Sequence, residues 1–512
     1  MRRATKLTMV AVLLGMALAV GCTDEETVFT DRPVFDEPAD VAGFLGYYMV
    51  DGSFEAKQTA CGNCHATYQA SWHTTGHADA WAGLQSSDHA AAYCENCHTV
   101  SQLGNLEVED VGWPATGDER YHDVQCESCH GSGLEHASGP TAANAPLCSV
   151  EAGTTATVGC GECHNGAHHP FVEQWEESNH GSTPAWEESG STTSRASCRI
   201  CHEGRQALVD VFGETSNYLE KDGTDPLPIH CVVCHDPHGT DFEGNLRADP
   251  HSSGLTNLCI RCHARSGTPP SSHGPHAAQG LLILGENVGW IPPDFLSPTF
   301  GGFLPEPHAH GETDEMCATC HVTTFEVTEP ETFNSVGHTF EAISCLDAVT
   351  GVPVPGPCEN TDRDFRVCDT CHGGEGQIML EDLVAEINLL LDQLWDDEDA
   401  DCVLDQGDGG LLPLVVFPDT LTLYPDDDLI TVAEGAWWNA QLAYTHDRPC
   451  FGDATLYFGL AGDDEEPADG TKDGIHVSAH KASGEGIHNP DLLRALLEAS
   501  IEAVIEFYGL GL

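Results

Sequence analysis

The chain has 512 residues, of which 40% are hydrophobic and only 7% aromatic, so it is long enough for more than one domain but lean in the side chains that usually fill a core. Its formal net charge of −63 argues against binding to nucleic acid, whose phosphate backbone it would repel. It contains 24 cysteines and 29 histidines, an abundance of two residue types that bind metals and cofactors.

The chain begins with the pattern of an export signal. Two arginines and a lysine precede an apolar run that ends at Val20, which is too short for a stable membrane span. The sequence AVGC, ending at Cys22, is similar to the lipid-attachment site of bacterial lipoproteins, and ordinary cleavage that leaves Cys22 as a thiol is the alternative. We predict a signal peptide over residues 1–22, lipidation at Cys22, a tether over 23–54, and a location in the periplasm or at the outer membrane or cell surface.

The pattern Cys-x-x-Cys-His then occurs nine times, whereas a shuffled chain of this composition would contain roughly 0.06 copies. We number these motifs 1 to 9 in chain order. Their cysteines are Cys61 and Cys64, Cys94 and Cys97, Cys126 and Cys129, Cys160 and Cys163, Cys198 and Cys201, Cys231 and Cys234, Cys259 and Cys262, Cys317 and Cys320, and Cys368 and Cys371. Their histidines are His65, His98, His130, His164, His202, His235, His263, His321 and His372.

The histidine directly after the second cysteine decides between three kinds of cysteine chemistry. Zinc binds Cys-x-x-Cys pairs but does not require that histidine, and a disulfide framework has no use for it. Covalent haem c requires the cysteine pair and the histidine, because two thioethers bind the porphyrin and the adjacent histidine ligates the iron. We therefore predict nine haem c groups over residues 55–375, in a mainly α fold with much irregular coil whose core is packed haems.

Each iron takes a second axial ligand unless it is to bind a substrate. Only three methionines follow the signal, whereas the histidines are numerous enough for bis-histidine ligation, which gives lower reduction potentials than His/Met ligation. An aromatic residue stands five positions before a histidine after motifs 1, 4 and 8, and the spacing predicts that the two share one side of a short helix. These pairs are Trp72 with His77, Trp175 with His180, and Phe333 with His338.

Further histidines lie close to a motif. His136 and His238 follow their own motifs too closely to reach the far face of the same iron, so each is predicted to serve another haem. A third group stands shortly before motif cysteines, and each member is either a distal ligand or a surface or capping residue. This group consists of His89, His122, His230, His251 and His310. The remaining histidines, His276 and His446 among them, carry less indication of ligation.

The segments CGNCHATYQASWHTTGHADAW, VQCESCHGSGLEHASGP and CHDPHG resemble the multihaem cytochromes related to the tetrahaem cytochromes and hydroxylamine oxidoreductase of nitrifiers, a group that includes octahaem tetrathionate and nitrite reductases. The resemblance covers residues 55–375 and the GIHNP segment near the C-terminus. It implies that distal histidines come from elsewhere in the chain and that His488 of GIHNP is one of them. Helix entry, with Asn489 as the cap, is a second role for this segment, and the two roles are compatible.

The chain differs from the catalytic members of this group. No motif ends in lysine, which some nitrite reductases use at the active haem, and no tyrosine is assigned as a haem cross-link. These differences favour an electron carrier over an enzyme.

Residues 376–512 contain no motif and are predicted to form a helical domain that packs on the haem array. Apolar residues recur at helical spacing in LEDLVAEINLLLDQLW, ITVAEGAWWNAQLAYTHD and PDLLRALLEASIEAVIEFYGL. Between the first two, Asp397, Asp399, Asp401 and Asp408 match positions of a calcium loop, but Cys402 occupies the usual glycine position. A solvated acidic loop is the alternative, and calcium is the weaker of the two interpretations.

Five cysteines besides Cys22 lie outside the motifs. Pairing of Cys345 with Cys358 would close a short loop, and pairing of Cys402 with Cys450 would join the C-terminal helices, which leaves Cys148 over.

Together these patterns predict an exported nonahaem cytochrome c that transfers electrons along closely packed, mostly bis-histidine haems. Its expected partners are redox proteins and, through the lipid anchor, the bacterial envelope membrane. Two alternatives remain open: a reductase or oxidase of small nitrogen or sulfur compounds at one haem with an open coordination position, and a subunit of a cytochrome filament.

Overall fold

The computed structural model describes residues 37–88, 90–166, 170–181, 198–214, 217–269, 275–295, 316–327, 333–345, 363–398, 400, 403–404, 406–416, 430–445, 447–448, 451, 454–455, 475–476, 478–479 and 486–511. The predicted signal peptide and its Cys22 lie outside these residues.

The described residues form many short α-helices, a few very short strands and much coil, which confirms the predicted mainly α fold. Around motifs 1 to 6 the helices are α1 (Ala66–Trp72), α2 (Ala80–Ser86), α3 (Gly112–Thr116), α4 (Cys126–His130), α5 (Leu134–Ser138), α6 (Cys160–Cys163), α7 (Phe171–Glu177), α8 (Arg199–His202), α9 (Gly204–Asp210) and α10 (Cys231–Cys234). Farther along they are α11 (Gln279–Leu284), α12 (Cys317–His321), α13 (Arg366–His372), α14 (Gly376–Leu394), α15 (Leu412–Val416), α16 (Val432–Leu442) and α17 (Pro490–Tyr508). Turns of 3₁₀ helix lie at Cys61–Asn63, Gly76–Asp79, Cys94–Asn96, Glu119–Tyr121, Ala142–Asn144, Leu219–Asp222, Glu243–Asn245 and Gly486–His488.

The strands of the described residues pair only as two-stranded antiparallel ribbons. They are β1 (Phe325–Val327) with β2 (Phe333–Ser335), β3 (Ser344–Cys345) with β4 (Arg363–Asp364), β5 (Val403–Leu404) with β7 (Ile475–His476), and β6 (Ala454–Thr455) with β8 (Ser478–Ala479). In the longest ribbon Phe325 lies opposite Ser335. Ribbons this short contribute little stability by themselves, so the fold depends on other contacts.

Aliphatic packing around motifs 1 to 6 is sparse. The buried apolar side chains of this region form small separate clusters, one around Phe44 and Tyr121, a second around Tyr47 and Trp72, and a third around Leu208. A single hydrophobic core of ordinary size would instead be contiguous. The region is therefore arranged as short motif-bearing turns with little side-chain core between them.

The C-terminal helices form the large hydrophobic core of the described residues. Helices α14, α16 and α17, which match the three apolar patterns in the sequence, pack together with α11, and the rings of Trp395, Trp437 and Phe451 lie at their centre. No described helix is long and apolar enough to cross a membrane.

Buried polar contacts join this core to the segment that follows motif 7. The side chain of Asn439 accepts a hydrogen bond from Trp290 N (2.8 Å) and donates to Trp290 O (2.8 Å) and to Ser500 Oγ (2.9 Å). The indole Nε1 of Trp438 donates to Gly267 O (3.0 Å). Because buried polar groups are costly when unpaired, these bonds fix one orientation of the helices against Gly267 and Trp290.

Two helix-interior glycines give matched tests of this packing. A Cβ at Gly435 in α16 would overlap the ring of Trp290, whereas a Cβ at Gly83 in α2 would meet nothing within 4 Å. Gly83→Ala should stabilise the protein by about 0.5–1 kcal/mol through helix propensity. Gly435→Ala should instead destabilise it by about 1–3 kcal/mol through overpacking. Thermal unfolding of both variants measures the difference, and equal stabilisation by the two would contradict the packing of Trp290 on α16.

Candidate haem sites

Each motif is folded as a single tight turn. In motif 1 the backbone N–H of His65 donates to Cys61 O (2.9 Å), and in motif 7 that of His263 donates to Cys259 O (3.0 Å); the same bond recurs in motifs 4, 5 and 6. One helical turn brings residues three and four positions apart to one side, so both thiols and the imidazole project together. All eighteen motif cysteines are free thiols, as attachment to a porphyrin requires.

Seven of the motif histidines face a second imidazole from another part of the chain. The ring centroids are separated by 6.4 Å for His65 and His136, 6.3 Å for His130 and His238, 6.1 Å for His164 and His77, 5.9 Å for His202 and His276, 6.3 Å for His235 and His338, 6.1 Å for His263 and His180, and 6.2 Å for His321 and His488. Six of the predicted distal histidines are among the residues that face a motif histidine.

The separation matches the geometry of two ligands on opposite faces of one iron. At metal–imidazole bond lengths of about 2.0–2.1 Å, the centroids of two such rings lie about 6.4 Å apart. Rotation about the axis leaves that separation unchanged, so the interplanar angles, from 10° at His488 to 76° at His180, are all compatible with it. The residues present therefore fit bis-histidine haem c.

The Nδ1 atoms of several motif imidazoles have hydrogen-bond partners, which leaves Nε2 on the other side of the ring. Among the motif histidines, Nδ1 of His130 lies 3.0 Å from Pro146 O and Nδ1 of His321 lies 2.9 Å from Phe340 O. Backbone carbonyls occupy the same place at His98 and His235. A donor bond from one ring nitrogen fixes the tautomer and leaves the other nitrogen free to ligate.

The facing histidines are oriented in the same way. His136 Nδ1 lies 3.2 Å from the side-chain oxygen of Asn144, and His238 Nδ1 lies 3.0 Å from Asp236 Oδ1. A carboxylate partner makes an imidazole a more basic ligand than an amide or carbonyl partner does. Asp236 therefore raises the basicity of the His238 imidazole.

Burial keeps several of these imidazoles neutral. It lowers the pKa of His180 and of His263 to about 4, with smaller contributions from nearby histidines. Burial also lowers the pKa of His77, His202 and His338. The neutral form is the one that binds a metal, so at neutral pH no proton has to be displaced.

The spacing predicts that the aromatic residue and the histidine share one side of a helix. In the structure the helix ends before the histidine. Helix α1 ends at Trp72, and its Nε1 donates to Val124 O (2.9 Å), while Val124 N donates to His77 O (3.1 Å). Trp175 and His180 make the same two bonds with Ile229, at 2.8 and 3.0 Å. Each tryptophan is therefore hydrogen-bonded to the residue two positions before a later motif. The same residue is bonded to the histidine and so positions it in the turn beyond the helix.

The third copy of the pattern is not helical. Phe333 lies in strand β2, so the helical interpretation of Phe333 and His338 is wrong. The backbone N–H of His338 donates to Gln174 Oε1 (3.0 Å), and its Nδ1 lies 2.9 Å from Val336 O. The histidine thus reaches the facing ring from a strand-to-turn segment held by α7.

The GIHNP segment places His488 opposite a motif imidazole and caps the last helix. It ends a 3₁₀ turn and lies opposite His321, while Asn489 caps α17 by accepting a hydrogen bond from Leu492 N (3.2 Å). Asn489 also donates to Leu282 O (3.0 Å) and is fully buried. The cap therefore holds the start of α17 where His488 meets motif 8.

The other predicted ligands have different positions. His122 stacks on Trp81 at 3.9 Å and lies 4.7 Å from Trp113, so within the described residues its ring faces two indoles rather than a motif imidazole. His230 is buried, and neither ring nitrogen has a hydrogen-bond partner. His89 and His310 lie outside the described residues.

His276 faces motif 5 although no sequence pattern marks it. It has no aromatic residue five positions earlier and stands among glycines and prolines. Its backbone exchanges two hydrogen bonds with Ser266, at 2.9 and 3.1 Å, and these fix the loop opposite His202. Only this long-range pairing, which is not visible in the local sequence, identifies it.

The structure describes only some of the cysteines and aspartates outside the motifs for which the sequence predicts a disulfide or a calcium loop. Cys345 is disulfide-bonded, whereas its predicted partner Cys358, together with Cys402 and Cys450, lies outside the described residues. Cys148 is a free thiol. Two aspartates of the calcium-loop pattern, Asp399 and Asp401, are also outside, and among the residues that are described no group of three or more His, Cys, Asp or Glu could hold a metal ion.

Two family models match the chain. One, described as a doubled CXXCH motif, matches residues 226–268, which contain motifs 6 and 7. The other, described as cytochrome c554 and c-prime, matches residues 60–131, which contain motifs 1 to 3. No curated protein and no solved structure matches the chain. The matched segments, with the repeated Cys-x-x-Cys-His motifs, identify the chain as a multihaem c-type cytochrome that takes part in electron transfer.

Proposed function

We propose that the chain carries nine haem c groups and conducts electrons between redox proteins outside the cytoplasm. The observation that carries the proposal is the set of seven imidazole pairs, each with one motif histidine and one histidine from another segment. An iron with both axial positions filled exchanges electrons without binding a substrate. Haem supplies the one-electron chemistry, and the protein supplies attachment, ligands and spacing.

The axial ligands follow from the pairs. Motif histidines bind on one side, and on the other side His136 serves motif 1, His238 motif 3, His77 motif 4, His276 motif 5, His338 motif 6, His180 motif 7 and His488 motif 8. All seven ligands come from a segment that follows a different motif from the one they serve. Ligation therefore joins neighbouring haem sites into one array.

The methionines support histidine ligation. Of the three that follow the signal, Met49 and Met379 are 39% and 46% exposed, unlike ligands enclosed between a porphyrin and the protein. The third, Met316, immediately precedes motif 8. Bis-histidine irons have lower potentials than His/Met irons, which suits a conductor of low-potential electrons.

Export and anchoring complete the proposal. The signal over residues 1–22 would bring the chain to a compartment outside the cytoplasm, and a lipid on Cys22 would hold it at the envelope. With a formal net charge of −63, the chain would associate fastest with redox partners that have a basic surface.

A count of haems and spin states tests the function. The mature protein should gain the mass of nine haems and should have low-spin spectra throughout, because facing histidines fill both axial positions at seven motifs and the proposal extends histidine ligation to motifs 2 and 9. Added CO, cyanide or nitrite should then leave the spectra unchanged. A single iron that is high-spin and binds these ligands would favour the reductase or oxidase alternative, and zinc in place of haem would contradict the proposal altogether.

Substitutions at two adjacent residues separate ligation from helix capping. His488→Ala should leave one iron five-coordinate, so that a high-spin signal and binding of one CO appear. Asn489→Ala should keep the spectra and lower stability by about 1 kcal/mol or more, because the cap of α17 is lost. Electron paramagnetic resonance and thermal unfolding distinguish the two. Unchanged spectra in His488→Ala would rule out ligation by His488, and His488→Met, which keeps a sixth ligand, controls for loss of folding.

A further inference from the structure

A buried glutamine joins helix α7 to the turn formed by residues 335–340. Gln174 of α7 donates from Nε2 to Ser335 Oγ (2.9 Å), and its Oε1 accepts a hydrogen bond from His338 N (3.0 Å). The side chains of Gln174 and Ser335 are both buried. Because a buried amide is costly when a bond is lost, these two bonds fix the place of the turn on the helix. His338, which faces the imidazole of motif 6, is thus held by a residue 164 positions away in the chain.

The 335–340 turn ends at a residue with an unusual backbone conformation. Phe340 has a φ of +56°, in the left-handed region that residues with a Cβ rarely adopt. Its N–H donates to Gly337 O (3.2 Å), which closes the turn. A Cβ at Gly337 would lie 2.5 Å from the carbonyl carbon of Val322, the residue after the histidine of motif 8. Backbone strain persists only where surrounding contacts hold it, so the contacts of Phe340 indicate what the strain serves.

Phe340 contacts histidines of three predicted haem sites. Its ring meets that of His180, which faces motif 7, edge-on at a centroid distance of 4.6 Å, and it lies 5.5 Å from the ring of His338. Its carbonyl oxygen lies 2.9 Å from Nδ1 of His321, the imidazole of motif 8. One residue therefore presents its ring to two facing histidines and its carbonyl to a motif histidine.

A second ring, on α7 itself, also packs on His338. The ring of Phe171 lies 5.1 Å from that of His338 and 5.8 Å from that of His164, the imidazole of motif 4, and it is nearly perpendicular to both. Edge-to-face contacts between aromatic rings have a preferred geometry, so they oppose tilting of the imidazole. His338 is thus held through its backbone by Gln174 and at its ring by two phenylalanines.

We propose that the 335–340 turn is a shared positioning element for the axial ligands at motifs 6, 7 and 8, and that Gln174 is the positioning residue that fastens it. The inference rests on the proposed bis-histidine ligation and adds the residues that set its geometry. Gln174 and Phe340 do not bind iron, and they act through the histidines that they contact. Partners of this kind, one step away from the metal, set the orientation and the affinity of its ligands.

Gln174→Met tests the fastening, and Gln69→Met is its matched control. Gln69 on α1 is also a buried amide that accepts from a backbone N–H and a hydroxyl, both of Thr59, but it is not bonded to any facing histidine. Both variants should melt at a lower temperature, because each loses buried hydrogen bonds. Cyanide should occupy one iron of Gln174→Met at a concentration about 10- to 100-fold below that needed for the unsubstituted protein, since loss of such a partner weakens a ligand by that factor. Gln69→Met should leave cyanide binding unchanged.

Electron paramagnetic resonance identifies the sites that depend on the 335–340 turn. His338→Met, His180→Met and His488→Met each replace one facing histidine, and so they assign the signals of motifs 6, 7 and 8. Gln174→Met should shift all three signals, because the whole turn is released. Phe340→Leu should shift the signals of motifs 6 and 7 and leave that of motif 8, because leucine removes the ring and keeps the backbone carbonyl.

The outcomes separate this inference from the function on which it rests. Too few haems, or an open iron, in the unsubstituted protein would count against the proposed ligation itself. With that ligation in place, a lower melting temperature of Gln174→Met without any change in cyanide binding or spectra would leave Gln174 a structural role only. A shift confined to motif 6 would overturn the sharing of the turn by three sites. If Gln174→Met attaches too few haems, Ser335→Ala, which removes one of the two bonds, replaces it with the same expected pattern.

Discussion

The structure depends on the approach of two imidazoles from distant segments at a separation that one iron spans. With the proposed ligation, each pair would close a loop of the chain and would restrict the unfolded ensemble much as a disulfide does. His321 and His488 join motif 8 to the start of the last helix, and His235 and His338 join motif 6 to a strand beyond motif 8. These links explain how a region with only small apolar clusters around Phe44, Tyr47 and Leu208 holds a defined arrangement.

The C-terminal helices have a different basis for stability and a positional role in the site. Their core is an ordinary apolar one, with Trp395, Trp437 and Phe451 packed together. Asn439 and Trp438 bond them to the segment after motif 7, and Asn489 sets the start of the last helix. Helices without any motif thereby place His488 opposite the imidazole of motif 8. With the proposed ligation, conventional packing and iron binding would both stabilise the protein at His488.

Local chemistry was predictable from the sequence, and long-range pairing was not. The motif cysteines and histidines follow from spacing, because attachment uses residues within one turn. The patterns around His77, His136, His180 and His238 selected histidines that do lie opposite motif imidazoles, since each is close to a motif in the chain. The shared helix side assigned to the three aromatic–histidine pairs was wrong, because residues five apart are compatible with several backbone paths. His276 had no local signal, and its position depends on a backbone pairing with Ser266.

Iron-edge anomalous diffraction from the holoprotein tests the central claim most directly. The account predicts an iron midway between the rings of each of the seven pairs, including the one formed by His202 and His276, with a porphyrin bonded to the two cysteines of the motif. Irons displaced from these midpoints, or peaks only at the zinc edge beside the cysteine pairs, would contradict it.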